Sequence, residues 1–443
     1  MNKILSKKII VSVSLLILCL FVATYGYRKR TRIPFYMHKA NVTLRGLLPA
    51  NIDELSQLDI PLVEINTDGI EPTCTLKSAP DSLWGLSIDK AEKVKAAMTI
   101  SLKGKVLYES GNYDKNNNGL KISVRGNGSA KEEKKPYKLK LEKKADLIEN
   151  DENYADKDWV LLNYGENLRT EMGLIFGEAL GISFVPRMKY VNVVINGNYR
   201  GLYILIENPK RSKSRINVSK DGFLAEYDAY WWKEKVYVKS PYTTVHMQYT
   251  FKYPKAKNIT NEKKNEYQEY FTAFEKTVYE GGDYSQYIDV ESWARWLVAQ
   301  ELMASPDAAG TNIYIAKEND DDSTKMTLPM LWDFDGNFIF SEGWSRIHSF
   351  KKLFVFYELL NHNDPTFLET YCRILDNATN TVFEFAQRRL KEYPQRNDMQ
   401  SLETSRELDA KRWGKEYIPL NKEIKTCLKY IYDRRVWLQK NKK

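Results

Sequence analysis

The sequence predicts an α+β protein: a sheet-rich N-terminal lobe, a helix-rich C-terminal lobe and one preceding transmembrane helix. Three observations carry this. An unbroken apolar run fills residues 9–27, short β-type runs crowd residues 60–207, and helix-period patterns dominate after about residue 212. With 43% hydrophobic and 13% aromatic residues the chain can bury a sizeable core, which excludes a disordered, collagen-like or disulfide-scaffold protein.

The run IIVSVSLLILCLFVATYGY follows Lys3, Lys7 and Lys8 and precedes Arg28, Lys29, Arg30 and Arg32. It is long enough to span a bilayer, at about 20 residues per helix. Ala23-Thr24-Tyr25 fits a cleavage site poorly, so the run reads as an uncleaved anchor rather than a removed signal. Both flanks are basic and leave orientation open. A single N-terminal anchor ahead of a long domain usually exports that domain, which makes the expectation a membrane-anchored, extracytoplasmic protein.

The first lobe builds from IPLVEI (60–65), AMTISLKG (97–104) and LKISVRG (120–126). Period-two alternation at 120–124 and 138–141 pairs these segments as a hairpin. One face then shows Leu120, Ile122, Val124, Leu139 and Leu141 to a core, the other Arg125, Lys138 and Lys140 to the outside. A helix is expected over 168–180, stopped by Gly181. YVNVVI and NYRGLYILIE flank Asn196-Gly197, the favoured pair for a two-residue hairpin turn, and Glu207 ends the second strand. In the second half, 262–304 reads as helical. Strands are expected at IYIA (313–316) and TLPMLW (327–332), joined by a solvated acidic loop, and helices return from Thr366. The resulting division is an anchor at 1–32, a sheet-rich lobe at 33–211, a second lobe at 212–365 and a helical extension at 366–443.

Several chemistries are excluded or disfavoured by composition. Four cysteines stand far apart without a CxxC and four histidines are scattered, which argues against a zinc site. The formal net charge of +9 is mild and lacks concentrated basic stretches, so no nucleic-acid partner is expected.

The chemistry-bearing segment is SPDAAGTNIYIA, a loop, then TLPMLWDFDG. Antiparallel pairing of its two strands sets Asn312 beside Asp333 and Asp335, with Asp307 just before the first strand. These are oxygen donors only, which suits Mg²⁺ or Mn²⁺. Asp333 and Asp335 lie two apart and point to one side of an extended segment, where a cation would relieve their repulsion. Asp307-x4-Asn312 followed by Asp333-Phe334 is the spacing with which protein kinases place a base and metal ligands. Cations for phosphate come from Arg125, Lys135, Lys138 and Lys140, and the loop Arg125-Gly126-Asn127-Gly128-Ser129 allows close backbone approach. Asp333-Phe334-Asp335 is also a D-x-D, as glycosyltransferases use for Mn²⁺ and a nucleotide-sugar. The role of Tyr230-Trp231-Trp232 stays open.

RGNGS, KKPYKLKL, NGNYRGLYILIE and TNIYIA…LWDFDG, in this order over residues 60–340, resemble the CotH spore-coat protein kinase family. The resemblance implies an atypical, protein-kinase-like fold that transfers the γ-phosphoryl group of ATP to Ser or Thr of proteins, surface or coat proteins among them. It implies Asp307 as catalytic base and Asn312 and Asp333, with Asp335 as rival, as metal ligands for Mg²⁺ or Mn²⁺. Lys138 or Lys140 matches the phosphate-contacting lysine, with Arg125, Asn127, Ser129 and Glu207 as further nucleotide-binding positions and Arg169 as a recurrent one. Gly128 stands where the family usually has Ser, and Gly-Asn-Phe follows Asp335 where an apolar residue and Thr-x-Gly are commoner. The expected partners are a protein acceptor and, through the N-terminal helix, the membrane. The alternatives are a catalytically inactive pseudokinase or assembly scaffold and the D-x-D glycosyltransferase.

Overall fold

Alternation in the first half produces strands that close on themselves. The computed structural model describes residues 48–78, 86–242, 247–305, 312–338 and 354–441. Asn51 caps the short helix α1 (Ile52–Ser56). Then come β1 (Leu62–Asn66), β2 (Cys74–Ser78), β3 (Leu86–Ala91), β4 (Val94–Leu102), β5 (Lys105–Glu109), β6 (Leu120–Val124), β7 (Tyr137–Ala145) and β8 (Asp156–Leu162). Helix α2 (Arg169–Ala179) precedes the hairpin β9 (Met188–Ile195) and β10 (Asn198–Glu207). The turn between them holds Asn196 at φ 51° and Gly197 at φ 73°, the left-handed pair that this turn demands.

The sheet order is β1-β9-β10-β8-β7-β6-β4, and β4 pairs back onto β1, closing a seven-stranded barrel with β5 attached to β4. Strand β1 makes the seam: it runs parallel to β9 and antiparallel to β4. β2 and β3 form a separate ribbon. The barrel interior is filled, not hollow. Ile122, Leu139, Trp159, Leu161, Tyr203 and Leu205 belong to one buried cluster. The β6–β7 register sets Leu120 opposite Leu141 and Ile122 opposite Leu139, as the alternation predicts.

The second half contributes β11 (Phe223–Asp228), β12 (Tyr237–Lys239) and β13 (Gln248–Tyr253). Helices α3 (Asn261–Tyr279) and α4 (Val290–Met303) follow, then β14 (Ile313–Lys317). These strands form a four-stranded sheet ordered β12-β13-β11-β14. Thr260 and Asp289 cap α3 and α4 by accepting from Lys263 N–H and Ser292 N–H. The chain ends in α5 (Phe356–Leu360), α6 (Thr366–Glu392), α7 (Met399–Trp413) and α8 (Leu420–Lys440).

This architecture corrects the two-lobed, kinase-like expectation. Strands β8 and β10 are buried on both faces: Trp159, Leu161, Tyr203 and Leu205 point into the barrel. Val160, Leu162, Leu202, Ile204 and Ile206 point into a second core shared with α2, β11 and the C-terminal helices. A strand pair buried on both faces joins the two halves instead of separating them, and Ala50–Lys443 form one compact unit. TLPMLW is likewise not a strand. It touches β14 only at the Ala316–Thr327 bridge, Pro329 has no N–H to donate, and β14 pairs with β11 instead.

The transmembrane helix and the membrane-anchored, extracytoplasmic placement are also corrected. Among the described residues no helix is long and apolar enough to cross a membrane, and residues 9–27 lie outside them.

Candidate active site

A cleft of about 630 Å³ opens where the barrel meets the second sheet. The loop 125–129, Lys138 of β7 and Tyr164 after β8 form one wall. Glu226 and Asp228 of β11, Lys252 of β13, and Asn312, Asp333 and Asp335 form the other. Arg125, Asn127, Ser129, Lys138, Asn312, Asp333 and Asp335 are therefore brought together. Lys140 and Glu207 do not line this cleft, and Asp307 lies outside the described residues.

The loop owes its shape to Gly126 at φ 90°, where a Cβ would fall 2.2 Å from Ser129 Oγ. A Cβ at Gly128 would meet nothing within 4 Å, so the usual family Ser would fit there too. Asn127 Oδ1 accepts from Ser87 Oγ (2.5 Å) and Lys233 Nζ (3.2 Å), and the Arg125 guanidinium sits 5.8 Å from the Trp332 ring centre. The loop is thus tied to the rim of the cleft at Arg125 and at Asn127.

Lys138 and Lys140 alternate outward on β7 and share Asp158, at 3.7 and 4.0 Å. Lys138 is the one that reaches the cleft. Burial holds its ammonium below the usual lysine range, against the raising effect of Asp158. Asp158 also accepts from Lys210 Nζ at 2.7 Å. Burial would raise its carboxyl, but Lys210, and then Lys138 and Lys140, outweigh burial and hold it below the usual carboxylate range.

On the opposite wall Asn312 Nδ2 donates to Asp333 Oδ2 at 3.4 Å. Both residues adopt left-handed backbone, φ 65° and 67°, a conformation uncommon for non-glycine residues and concentrated at functional sites. Helix α2 holds the segment that carries Asp333. Gly173 leaves room for Phe334, whose ring would lie 2.1 Å from an added Cβ, and Arg169 Nη1 donates to the Asp335 carbonyl. Arg169 thereby has a positioning role that its place in the motif order did not disclose. Helix α8 holds the last turn of α4. Tyr430 Oη donates to the Leu302 carbonyl (2.9 Å), and the buried Arg434 donates to the carbonyl and carboxylate of Glu301 (2.7 Å each) at the C-terminal turn of α4.

Glu207 is 1% exposed and belongs to a different network. It accepts from Arg187 N–H (2.9 Å) and Arg187 Nη2 (3.1 Å), and Arg187 also pairs with Asp146.

Residue patterns alone missed Tyr164, Glu226, Asp228 and Lys252. Burial, then the charges of Asp335 and Asp333, push the Tyr164 phenol far up, so it stays a neutral donor between the two walls. Lys252 Nζ pairs with Glu226 at 2.5 Å, and Asp228 accepts from Tyr230 N–H and Thr250 Oγ1. A signal existed: Glu226 and Asp228 stand two apart in the otherwise apolar FLAEYD, which sets both carboxylates on one face of a strand.

The cleft suits an anionic ligand with a hard cation. One wall supplies an ammonium, a guanidinium and a glycine loop; the facing wall supplies oxygen donors from Asn312, Asp333 and Asp335. Among the described residues no group of three or more His, Cys, Asp or Glu side chains is arranged to hold a metal by itself. The donors present fit a Mg²⁺ that takes few protein ligands and completes its shell with phosphate oxygens and water. A family model described as CotH kinase protein matches residues 122–438. No curated protein matches the chain.

Proposed function

We propose that this chain, which belongs to the CotH kinase protein family, transfers the γ-phosphoryl group of ATP to Ser or Thr hydroxyls of a protein acceptor. The observation that carries the reading is the meeting, in one cleft, of Lys138 and the 125–129 loop with Asn312, Asp333 and Asp335.

Phosphoryl transfer asks a protein mainly for positioning and charge stabilisation. Lys138, Arg125 and the N–H groups of the glycine loop would cradle the triphosphate, with Lys138 favoured over Lys140 because it lies in the cleft. Asn312 and Asp333, with Asp335, would hold Mg²⁺ or Mn²⁺. When bound, that ion neutralises charge on the phosphate oxygens. The acceptor hydroxyl oxygen attacks the γ-phosphorus, its proton passes to Asp307, and the bridging oxygen leaves with ADP. Tyr164, kept neutral, is suited to donate a hydrogen bond to a phosphate oxygen.

The test is phosphotransfer from γ-labelled ATP, with Mg²⁺ or Mn²⁺, to a generic acceptor protein. The parent should label the acceptor, while Asp307→Ala and Asp333→Ala should each lose about 10²-fold or more. Equal labelling by the parent and Asp333→Ala would overturn the assignment.

A further inference from the structure

The outer face of the barrel sets like charges side by side. Strand register places Lys95 of β4 directly opposite Lys121 of β6, and Lys121 directly opposite Lys140 of β7. Lys138 lies two residues from Lys140, on the same face of β7. Like charges directly opposite each other on neighbouring strands destabilise a sheet. Lysines often guard the open edge of a sheet, but β4, β6 and β7 each have neighbours on both sides in a closed barrel, so no edge explains them.

Among the described residues, the carboxylates within 4.0 Å of this row are Glu142 and Asp158, and each has a closer donor elsewhere. Glu142 stands 3.8 Å from Lys121 Nζ but accepts from Asn116 N–H at 2.9 Å. Asp158 stands 3.7 Å from Lys138 and 4.0 Å from Lys140 but accepts from Lys210 Nζ at 2.7 Å. The Tyr113 ring centre lies 5.1 Å from Lys95 Nζ and 5.3 Å from Lys121 Nζ, and it brings no net charge. Lys255 extends the face. Burial, then repulsion from Lys210 and Lys140, hold its ammonium below the usual lysine range against the opposite pull of Asp158. Lys95, Lys121, Lys138, Lys140, Lys210 and Lys255 thus outnumber Glu142, Asp158 and the Asp156 that pairs with Lys210.

Lys95, Lys140 and Lys255 are exposed, so the missing anion must come from outside the chain. With strands about 4.8 Å apart, the row from Lys95 to Lys140 spans roughly 10 Å, the length of a few extended residues rather than of a duplex or a bilayer patch. Lys138, beside the end of the row, lines the cleft, so a segment lying along the row leads to the mouth of the cleft.

We propose that this face docks an acidic segment of the acceptor polypeptide, its Asp or Glu carboxylates on Lys95, Lys121 and Lys140 and its hydroxyl-bearing residue in the cleft. The identity of the segment as acceptor rests on the phosphoryl-transfer reading; the docking face does not.

The test is calorimetric titration of the full chain with octaglutamate, octaglutamine and phosphatidylglycerol vesicles at low salt. Octaglutamate should bind at least about tenfold more tightly than octaglutamine, and less tightly as salt is raised. Lys95→Gln/Lys121→Gln, outside the cleft, should weaken octaglutamate binding about fivefold or more. Lys276→Gln/Lys429→Gln makes the same change of net charge on the exposed sides of α3 and α8, and should alter binding less than about twofold. Lys95→Gln/Lys121→Gln should also melt at or above the parent temperature, because it relieves the opposed charges. With ATP and Mg²⁺, a serine peptide flanked by glutamates should show a KM at least about fivefold below that of its glutamine-flanked counterpart. Lys95→Gln/Lys121→Gln should remove that difference and leave transfer to the glutamine peptide unchanged. Absence of octaglutamate binding, equal weakening by the two double variants, a clear fall in melting temperature, or vesicle capture in place of octaglutamate binding would each overturn the docking face. Octaglutamate binding with no transfer to either peptide would uphold the face and overturn the phosphoryl-transfer reading.

Discussion

The two faces of the β6–β7 ribbon obey different rules. Inside the barrel Leu120, Ile122, Leu139 and Leu141 are 0–1% exposed, each among many apolar neighbours. On the outer face Lys138 and Lys140 share the carboxylate of Asp158, which also pairs with Lys210 from the segment after β10. Packing spreads its energy over many weak contacts, so shape matters more than any one atom. The charged face has no such redundancy, and each group there acts through one or two named partners. The lesson is that strand alternation separates stability from chemistry along the same nine residues of β7.

The sharpest way to break this division is Leu139→Ala. It should cost about 2–5 kcal/mol in urea unfolding while phosphotransfer per folded molecule stays near the parent value. Loss of activity in the folded fraction would show that the barrel interior tunes the cleft. Asp333→Ala should do the reverse. Activity should fall about 10²–10³-fold, while stability falls by no more than about 1–2 kcal/mol, since the residue is exposed but Ala fits its left-handed backbone less well than Asp.

A finer test separates the two lysines. Lys138→Met should raise the ATP KM by about tenfold or more, the worth of a charge-assisted hydrogen bond. Lys140→Met, whose side chain is 59% exposed, should change it less than about threefold. Comparable effects would mean that both ammoniums reach the phosphates.

The smallest effect is on pH dependence. Asp158 is held below the ordinary carboxylate range, so the folded state binds fewer protons there than the unfolded chain. Its contribution is present above about pH 4 and is lost as pH falls through the lower folded value. Asp158→Asn should therefore flatten the acid limb of thermal stability; an unchanged limb would mean that Asp158 contributes nothing there.

Much of the local structure was legible. Asn196-Gly197 specified its turn, Gly181 ended its helix, and the alternation at 120–124 and 138–141 set the register correctly. The meeting of Asn312 with Asp333 was also foreseen, though by a strand pair that does not form. The two residues instead converge because β14 joins β11 while α2 holds the 333–335 segment through Gly173 and Arg169.

Gly201 illustrates what was hidden. Nothing in NYRGLY requires a glycine until α7 is in place, whereupon a Cβ at Gly201 would lie 2.0 Å from Asp409 Oδ1. The barrel seam was equally hidden. β1 pairs with β9, far along the chain, and neither strand's pattern names its partner. The apolar run LYILI (202–206) within β10 did carry a clue, since five successive apolar positions in a strand are covered on both sides.

By itself the sequence determined the Asn196-Gly197 hairpin, the end of α2 at Gly181, which β6 and β7 side chains face a core, and which oxygen and nitrogen groups are available for chemistry. These follow from neighbouring residues, through backbone preference and periodicity. Only the tertiary structure decided that the barrel closes, that the two halves share one core, that Lys138 and not Lys140 enters the cleft, and that Glu207 stays outside it. Those outcomes depend on contacts between residues distant in sequence, whose partners become defined only when the layers pack.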